Sequence, residues 1–329
     1  MTETELKAYI QAIRPADRDA MSAARRRQSQ LAKPPGSLGR LEDISVQLSG
    51  ITGALCPKMD KCRVAVFAAD NGVVDEGVSC APRSVTLQQA INMTRRKTGM
   101  SAMAAAFGDD VAVVDVGIAA HVPPVGILDR KTRFGTGNIA VEDAMTRQEV
   151  LAALTGADIE DVTGRGGGLT DRAFARKKDV LRTSVGRRPI RRDDAVDVLC
   201  AVGGLDMAAM TGAFLGCAHE RVPAAVDGFI SVVAALCAVR LCPAVGDYLF
   251  LSHDSYEVGY RLAAGELHRE PCLHLGMRLG EGSGCPLLFR VMEASCGVMS
   301  GMATFAEAAI QDDYLDEIRA GDSFTVDRP

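Results

Sequence analysis

Tryptophan is absent from this sequence, and aromatic residues make up only 5% of it. An aromatic-lined groove for sugars or peptides is therefore not expected. No secretory leader is read at the start. The longest apolar stretch, near Ile230 to Leu241, is interrupted by Arg240 and falls short of the ~20 residues that a bilayer span needs, so no membrane association is expected. Neither sign of charge dominates: 37 Lys and Arg stand against 42 Asp and Glu, which argues against a nucleic-acid surface. The five histidines show no HxxxH or HExxH spacing, so no metal site is expected. No segment fits GxxxxGK[ST], which disfavours a nucleoside-triphosphate loop. Ten cysteines are present but no CxxC pair. Cys56, Cys62, Cys200, Cys217, Cys237, Cys242 and Cys296 lie mostly among small or apolar neighbours and read as buried free thiols in a reducing cytoplasm.

What remains is a globular composition, 47% hydrophobic and 24% charged over 329 residues, enough for one large domain or two ordinary ones. A helix is expected over 16–31, with Arg25, Arg26 and Arg27 on a solvated face. Lys33-Pro34-Pro35-Gly36 stops it. Leu38, Leu41, Ile44, Leu48 and Ile51 then recur at helical spacing. Beyond them the pattern changes to apolar runs at about 63–69, 111–116, 222–227 and 247–251, separated by helical stretches. Such alternation implies an α/β fold with a mainly parallel sheet. Ligands of such sheets bind at the carboxyl ends of the strands. Three of these runs end at an aspartate, Asp70, Asp115 and Asp227. Each could line a site or cap a following helix.

Glycine is frequent, with 33 residues, and clusters at Asn71-Gly72, Gly135-Thr136-Gly137-Asn138, Gly164-Arg165-Gly166-Gly167-Gly168 and Gly280-Glu281-Gly282-Ser283-Gly284. Such loops can present backbone N–H groups to a phosphate. Several together in a parallel α/β frame suggest a phosphorylated ribose ligand.

The segment Lys33-Pro34-Pro35-Gly36-Ser37-Leu38-Gly39-Arg40-Leu41-Glu42 resembles the N-terminal signature of nicotinate-nucleotide–dimethylbenzimidazole phosphoribosyltransferases. Further matches follow in that family's order. They include Ala69-Asp70-Asn71-Gly72-Val73, Val114-Asp115-Val116-Gly117, Gly135-Thr136-Gly137-Asn138-Ile139, Val226-Asp227-Gly228-Phe229, Ser252-His253, Met277 to Gly284 and Met302-Ala303-Thr304-Phe305-Ala306-Glu307-Ala308. The resemblance implies a Rossmann-like, mainly parallel sheet with flanking helices, plus a small helical domain built from both chain ends. The corresponding division is 1–60, 61–290 and 291–329. It implies phosphoribosyl transfer from nicotinate mononucleotide to 5,6-dimethylbenzimidazole or a related aromatic base, without metal or cofactor. It also implies a cytoplasmic dimer, either with itself or with a paralogue.

The resemblance also carries roles. Glu307, flanked by Phe305 and alanines, would be the general base. Gln89 would lie in the aromatic-base pocket, where Ala81 replaces a hydrogen-bonding serine of some members. Lys177 would pair with the nucleotide phosphate, with Lys178 an adjacent alternative, and Gly166 would lie in the matching glycine turn. Asp70, Gly72, Gly137, Asp227, Glu281 and Ser283 would complete the substrate-binding wall. Two departures stand out. Asn71 replaces a common histidine. Between Met145–Val150 and Ala153–Gly156 the family has a few dozen more residues, including a helix, a strand and a phosphate-gripping loop. One sheet position is therefore expected to be vacant or covered by another element. A catalytically impaired or regulatory subunit, or an error in the gene as read, stays open beside the enzyme.

Overall fold

The computed structural model describes residues 3–123, 125–143, 170–187, 189–191 and 193–315. Eleven described α-helices and five strands alternate along these residues. In chain order they are α1 (Glu3–Ala12), α2 (Arg18–Gln30), α3 (Arg40–Thr52), β1 (Arg63–Ala69), α4 (Ser84–Thr94), α5 (Gly99–Phe107), β2 (Asp110–Gly117) and β3 (Leu128–Asp129). The order continues with α6 (Asp171–Gly186), α7 (Ala195–Val202), α8 (Leu205–His219), β4 (Ala224–Val226), α9 (Phe229–Leu241), β5 (Leu249–Leu251), α10 (Tyr260–Glu266) and α11 (Cys285–Gly301).

Local chemistry sets many of these boundaries. Asp17 caps α2, accepting from the N–H groups of Asp19 at 2.9 Å and Ala20 at 3.0 Å. Thr98 and Ser101 form a reciprocal capping box on α5, which ends at Gly108 in the left-handed conformation. α9 is apolar on all sides and has eight buried residues, so it sits inside the molecule.

All pairings among the described strands are parallel. β1 pairs with β2 from Arg63 opposite Asp110 to Ala68 opposite Asp115, and β2 pairs with the short β3. β4 pairs with β5 in a second sheet, Ala224 opposite Leu249 and Val226 opposite Leu251. The expected α/β class is met, and the run at 63–69 forms a strand over the same residues. The run at 222–227 yields only Ala224–Val226, because Pro223 has no N–H to donate to a ladder. The run at 247–251 begins at Leu249, because Pro243–Tyr248 winds into 3₁₀ turns first. Among the described residues the strands form two sheets that are not hydrogen-bonded to each other.

The two chain ends meet. Ala24, Leu31, Val46 and Met299 pack together, joining α2, α3 and α11. Arg27 donates to the carbonyl of Met299 at 2.8 Å, and the Ser295 hydroxyl donates to that of Leu41 at 2.6 Å. Between α2 and α3 lies the Pro-Pro-Gly segment. Lys33 is buried and donates to Glu42 at 2.6 Å. Glu42 also accepts from the N–H of Leu38 at 3.0 Å and of Gly36 at 3.3 Å. One carboxylate thus folds the whole signature back onto the start of α3. Glu42→Gln leaves a buried ammonium without its charge partner. It should cost about 3–5 kcal/mol, read as a lowered midpoint in urea unfolding.

All ten cysteines are free. Cys237, Cys242, Cys285 and Cys296 are buried, and burial pushes the Cys237 thiol up to about 12. Two departures from the expectation of burial appear: Cys200 is exposed on α7, and Cys56, Cys62 and Cys217 are only half-buried; Cys80, before α4, is exposed as well. Cys80 and Cys200 should therefore react with a disulfide reagent at pH 8 in the native protein. Cys237 and Cys285 should react only after unfolding, because their thiolate forms are suppressed. Mass spectrometry of the labelled sites checks this.

Candidate functional site

A cavity of about 1010 Å³ opens where β1 and β4 end. Its mouth is built from loops tied by aspartates. Asp70, following β1, accepts from the Thr86 hydroxyl at 2.6 Å with one oxygen and from the N–H of Ala119 at 2.7 Å with the other. Asp115, on β2, accepts from the N–H of Ile118 at 2.8 Å and pairs with Lys131 at 2.9 Å. Asp227, following β4, accepts from the N–H groups of Gly282 at 3.0 Å and Gly284 at 2.7 Å. These carboxylates join loops to one another instead of capping the next helix.

The Asp227 grip shapes a second wall. Gly280, Glu281 and Gly282 all have positive φ, at 74°, 61° and 82°. For Glu281 this is a strained conformation. Gly282 has no room for a Cβ, which would lie 2.7 Å from Val64 Cγ1. The turn projects Glu281 into the cavity wall, where it accepts from Gln89 Nε2 at 3.1 Å. Gln89 in turn accepts from Asn92 Nδ2 at 3.4 Å. Ala81 lies on the same wall.

Lys177, on α6, is buried and lines the cavity. Lys178 instead rests its ammonium over the Phe174 ring, 4.7 Å from the centroid. The geometry therefore favours Lys177 of the adjacent pair. Asp70, Gln89, Lys177, Asp227 and Glu281 thus meet at one cavity.

Other expected site residues lie elsewhere. Gly72 and Gly137 do not line the cavity; they pack against each other. Their small size lets the loop after β1 touch the 135–139 loop, and Gly72 N–H donates to the Thr136 hydroxyl at 3.0 Å. Ser283 is fully buried behind the wall, where its N–H donates to the Gly280 carbonyl at 3.0 Å. Gly166 lies outside the described residues.

Glu307 does not line this cavity. It is exposed, and its carboxylate accepts from the N–H of Thr304 at 2.7 Å. That bond holds its pKa below the usual carboxylate value. A base in an apolar pocket needs the opposite shift. The flanking Phe305 turns inward while Glu307 turns out. Conversely, Glu257 and Asp206, the latter in the first turn of α8, line the cavity without having been singled out, since single acids carry no sequence signal. Arg278 lines it too and lies within the Met277–Gly284 match.

The space around Gly72 gives a direct test. A Cβ there would come 2.5 Å from the Gly137 carbonyl carbon and 2.6 Å from the Thr136 oxygen, both backbone atoms. Gly72→Ala should destabilise the fold by about 1–3 kcal/mol. Gly212→Ala, inside α8 with nothing within 4 Å of the new methyl, should stabilise it by about 0.5–1 kcal/mol. Chemical denaturation of both variants measures the contrast.

Comparison with known proteins accords with this arrangement. A phosphoribosyltransferase family profile matches residues 13–155 and 150–310. A nicotinate-nucleotide–dimethylbenzimidazole phosphoribosyltransferase of Clostridium perfringens is 41% identical over 359 aligned positions, spanning 98% of this chain and 99% of the relative. The enzyme of the same name from Geobacter metallireducens is 38% identical, over 94% of this chain and 98% of its own. A crystal structure of the enzyme so named from Thermus thermophilus superposes with a TM-score of 0.83 at 32% identity, covering 90% of this chain and 99% of its own. The 359 aligned positions exceed the 329 residues here, so the Clostridium relative has at least 30 residues that this chain lacks. The division of the family match at 150–155 lies where the sequence jumps.

Proposed function

We propose a reaction geometry from one premise: this chain belongs to the nicotinate-nucleotide–dimethylbenzimidazole phosphoribosyltransferase family. Its activity is pentosyl transfer from nicotinate mononucleotide to 5,6-dimethylbenzimidazole, giving α-ribazole 5′-phosphate and nicotinate. A benzimidazole nitrogen forms the new bond to the anomeric carbon of ribose while the bond to nicotinate breaks. Attack from the face opposite the leaving group inverts β to α. The proton on the other benzimidazole nitrogen must go to a base.

The observation that carries the assignment of groups is the meeting of Gln89, Glu281 and Lys177 on one cavity. In this reading the aromatic base lies against Gln89 and Ala81. Glu281, already accepting from Gln89, turns its remaining oxygen to the benzimidazole N–H and takes that proton. Lys177 faces the 5′-phosphate as a charge partner. Asp227 and Asp70 hold the loops and do not touch the proton, because both oxygens of each are already engaged.

The ten free thiols support a reducing compartment, hence the cytoplasm. No described helix is long and apolar enough to cross a membrane. Tyr256, Val258, Leu275 and Leu279 are exposed apolar side chains from two neighbouring stretches, which supports pairing with a second copy or with a paralogue. Sedimentation equilibrium should give twice the 34.8 kDa chain mass when the protein pairs with itself.

Chromatographic assay of α-ribazole 5′-phosphate tests the assignment. Glu281→Gln should lower kcat by roughly two to four orders of magnitude. Glu307→Gln should stay near wild type. Loss of rate in the Glu307 variant alone would return the base to Glu307 and require another surface to bury it. Lys177→Met should raise KM for nicotinate mononucleotide about tenfold or more, as loss of one charge-assisted bond predicts.

A further inference from the structure

Glu76 ends the 3₁₀ turn that follows β1 (Gly72–Glu76). Its carboxylate ties together three distant pieces of chain. Oε1 accepts from Asn138 Nδ2 at 2.8 Å, and Oε2 accepts from Arg176 Nη2 at 2.8 Å. Arg176 Nε also donates to the Glu76 carbonyl, so one guanidinium fork grips one residue at two atoms. The Asn138 bond first and the Arg176 bond second hold the Glu76 carboxyl below its ordinary pKa, which keeps the pair charged at neutral pH. The pieces joined are the turn after β1, the loop with Gly135-Thr136-Gly137-Asn138, and α6. Glu76, Asn138 and Arg176 all lie outside the cavity wall, but Lys177, the next residue after Arg176, is on it. On α6, Lys177, Leu181 and Ser184 are buried at helical spacing. Beside them Val180 packs against Val73, Val78 and Ile139. Apolar packing is non-directional: it holds α6 against the rim without fixing its rotation. The Arg176 fork is directional, and it sits one residue from the cation.

We propose that Glu76 is a positioning residue for the 5′-phosphate: through Arg176 it sets the rotation of α6 and so aims Lys177 into the cavity. The inference rests on the reading that Lys177 faces the phosphate. Glu76 touches no substrate itself. Arg176 is 58% exposed and Glu76 24%, and an ion pair so open to water adds little to stability. Its worth lies in direction, because a misplaced charge partner loses the short, linear bond that a phosphate oxygen requires. Asn138 holds the other carboxylate oxygen, so the fork is anchored to the rigid rim and not to a swinging side chain.

Steady-state kinetics of the full chain test this, with nicotinate riboside, which lacks the 5′-phosphate, as a competitive inhibitor. Glu76→Ala and Arg176→Met should each raise KM for nicotinate mononucleotide roughly tenfold, as loss of one charge-assisted bond predicts. They should leave kcat, the KM for dimethylbenzimidazole and the Ki of the riboside unchanged. The double variant should be no worse than either single one, because both remove the same contact. An unchanged KM for nicotinate mononucleotide in either single variant overturns the proposal. So does a riboside Ki that rises in step with KM, which marks a general loosening of the site, and so do losses that multiply in the double variant. Lys177→Met is measured beside them. If it moves KM and the riboside Ki alike, the assignment of Lys177 to the phosphate has failed, and the proposal goes with it.

Discussion

The Asp227 carboxylate is the interaction on which the site depends. It sits at the end of β4 and holds the N–H groups of Gly282 and Gly284. Two charge-assisted bonds to one turn are worth about 1.5–3 kcal/mol each. They offset the strain of three successive left-handed residues, one of which is a glutamate. Without that grip Glu281 would not face Gln89, and α11 would not start where it does. α11 in turn carries Met299 and Ser295 to the N-terminal helices. A single acid thus links the sheet, the cavity wall and the packing of the two chain ends.

The other aspartates follow the same logic at the mouth. Asp70 joins the end of β1 to α4 and to the loop after β2. Asp115 joins β2 to Lys131, which also donates to the carbonyls of Ile118 and Ala120. Each is buried with its partners satisfied, so the loops form a rigid rim. Rigidity matters for group transfer between two bound molecules, where small errors in position cost large factors in rate. Gln89, Glu281 and Lys177 line the cavity outside this scaffold.

The split sheet is the unusual feature of the frame. A parallel sheet between helices normally pairs every inner edge. Among the described residues one edge of β1 and one of β4 border the cavity that opens at the site. Shortening a chain inside a sheet is a different matter from shortening a surface loop, because it removes hydrogen-bond partners as well as residues.

Much of the fold was legible in the sequence because burial on both faces gives parallel strands continuous apolar runs. The run at 63–69 and the glycine-rich turn at 280–284 needed no tertiary information to be noticed. The jump near residue 150 was also visible in the sequence alone, and the divided family match agrees with it. The roles within the motifs were not legible. Gly72 and Gly137 look like phosphate-binding glycines, yet they serve the contact of two loops, which depends on backbone distances across 65 residues of chain. Glu307 sits in an apolar stretch, but the turn after Thr304 directs it outward onto the N–H of Thr304. Sequence determines which residues are available and which elements form, through periodicity and backbone preference. The tertiary structure decided which carboxylate faces the cavity, because direction and solvent access arise only when elements from distant parts of the chain are packed together.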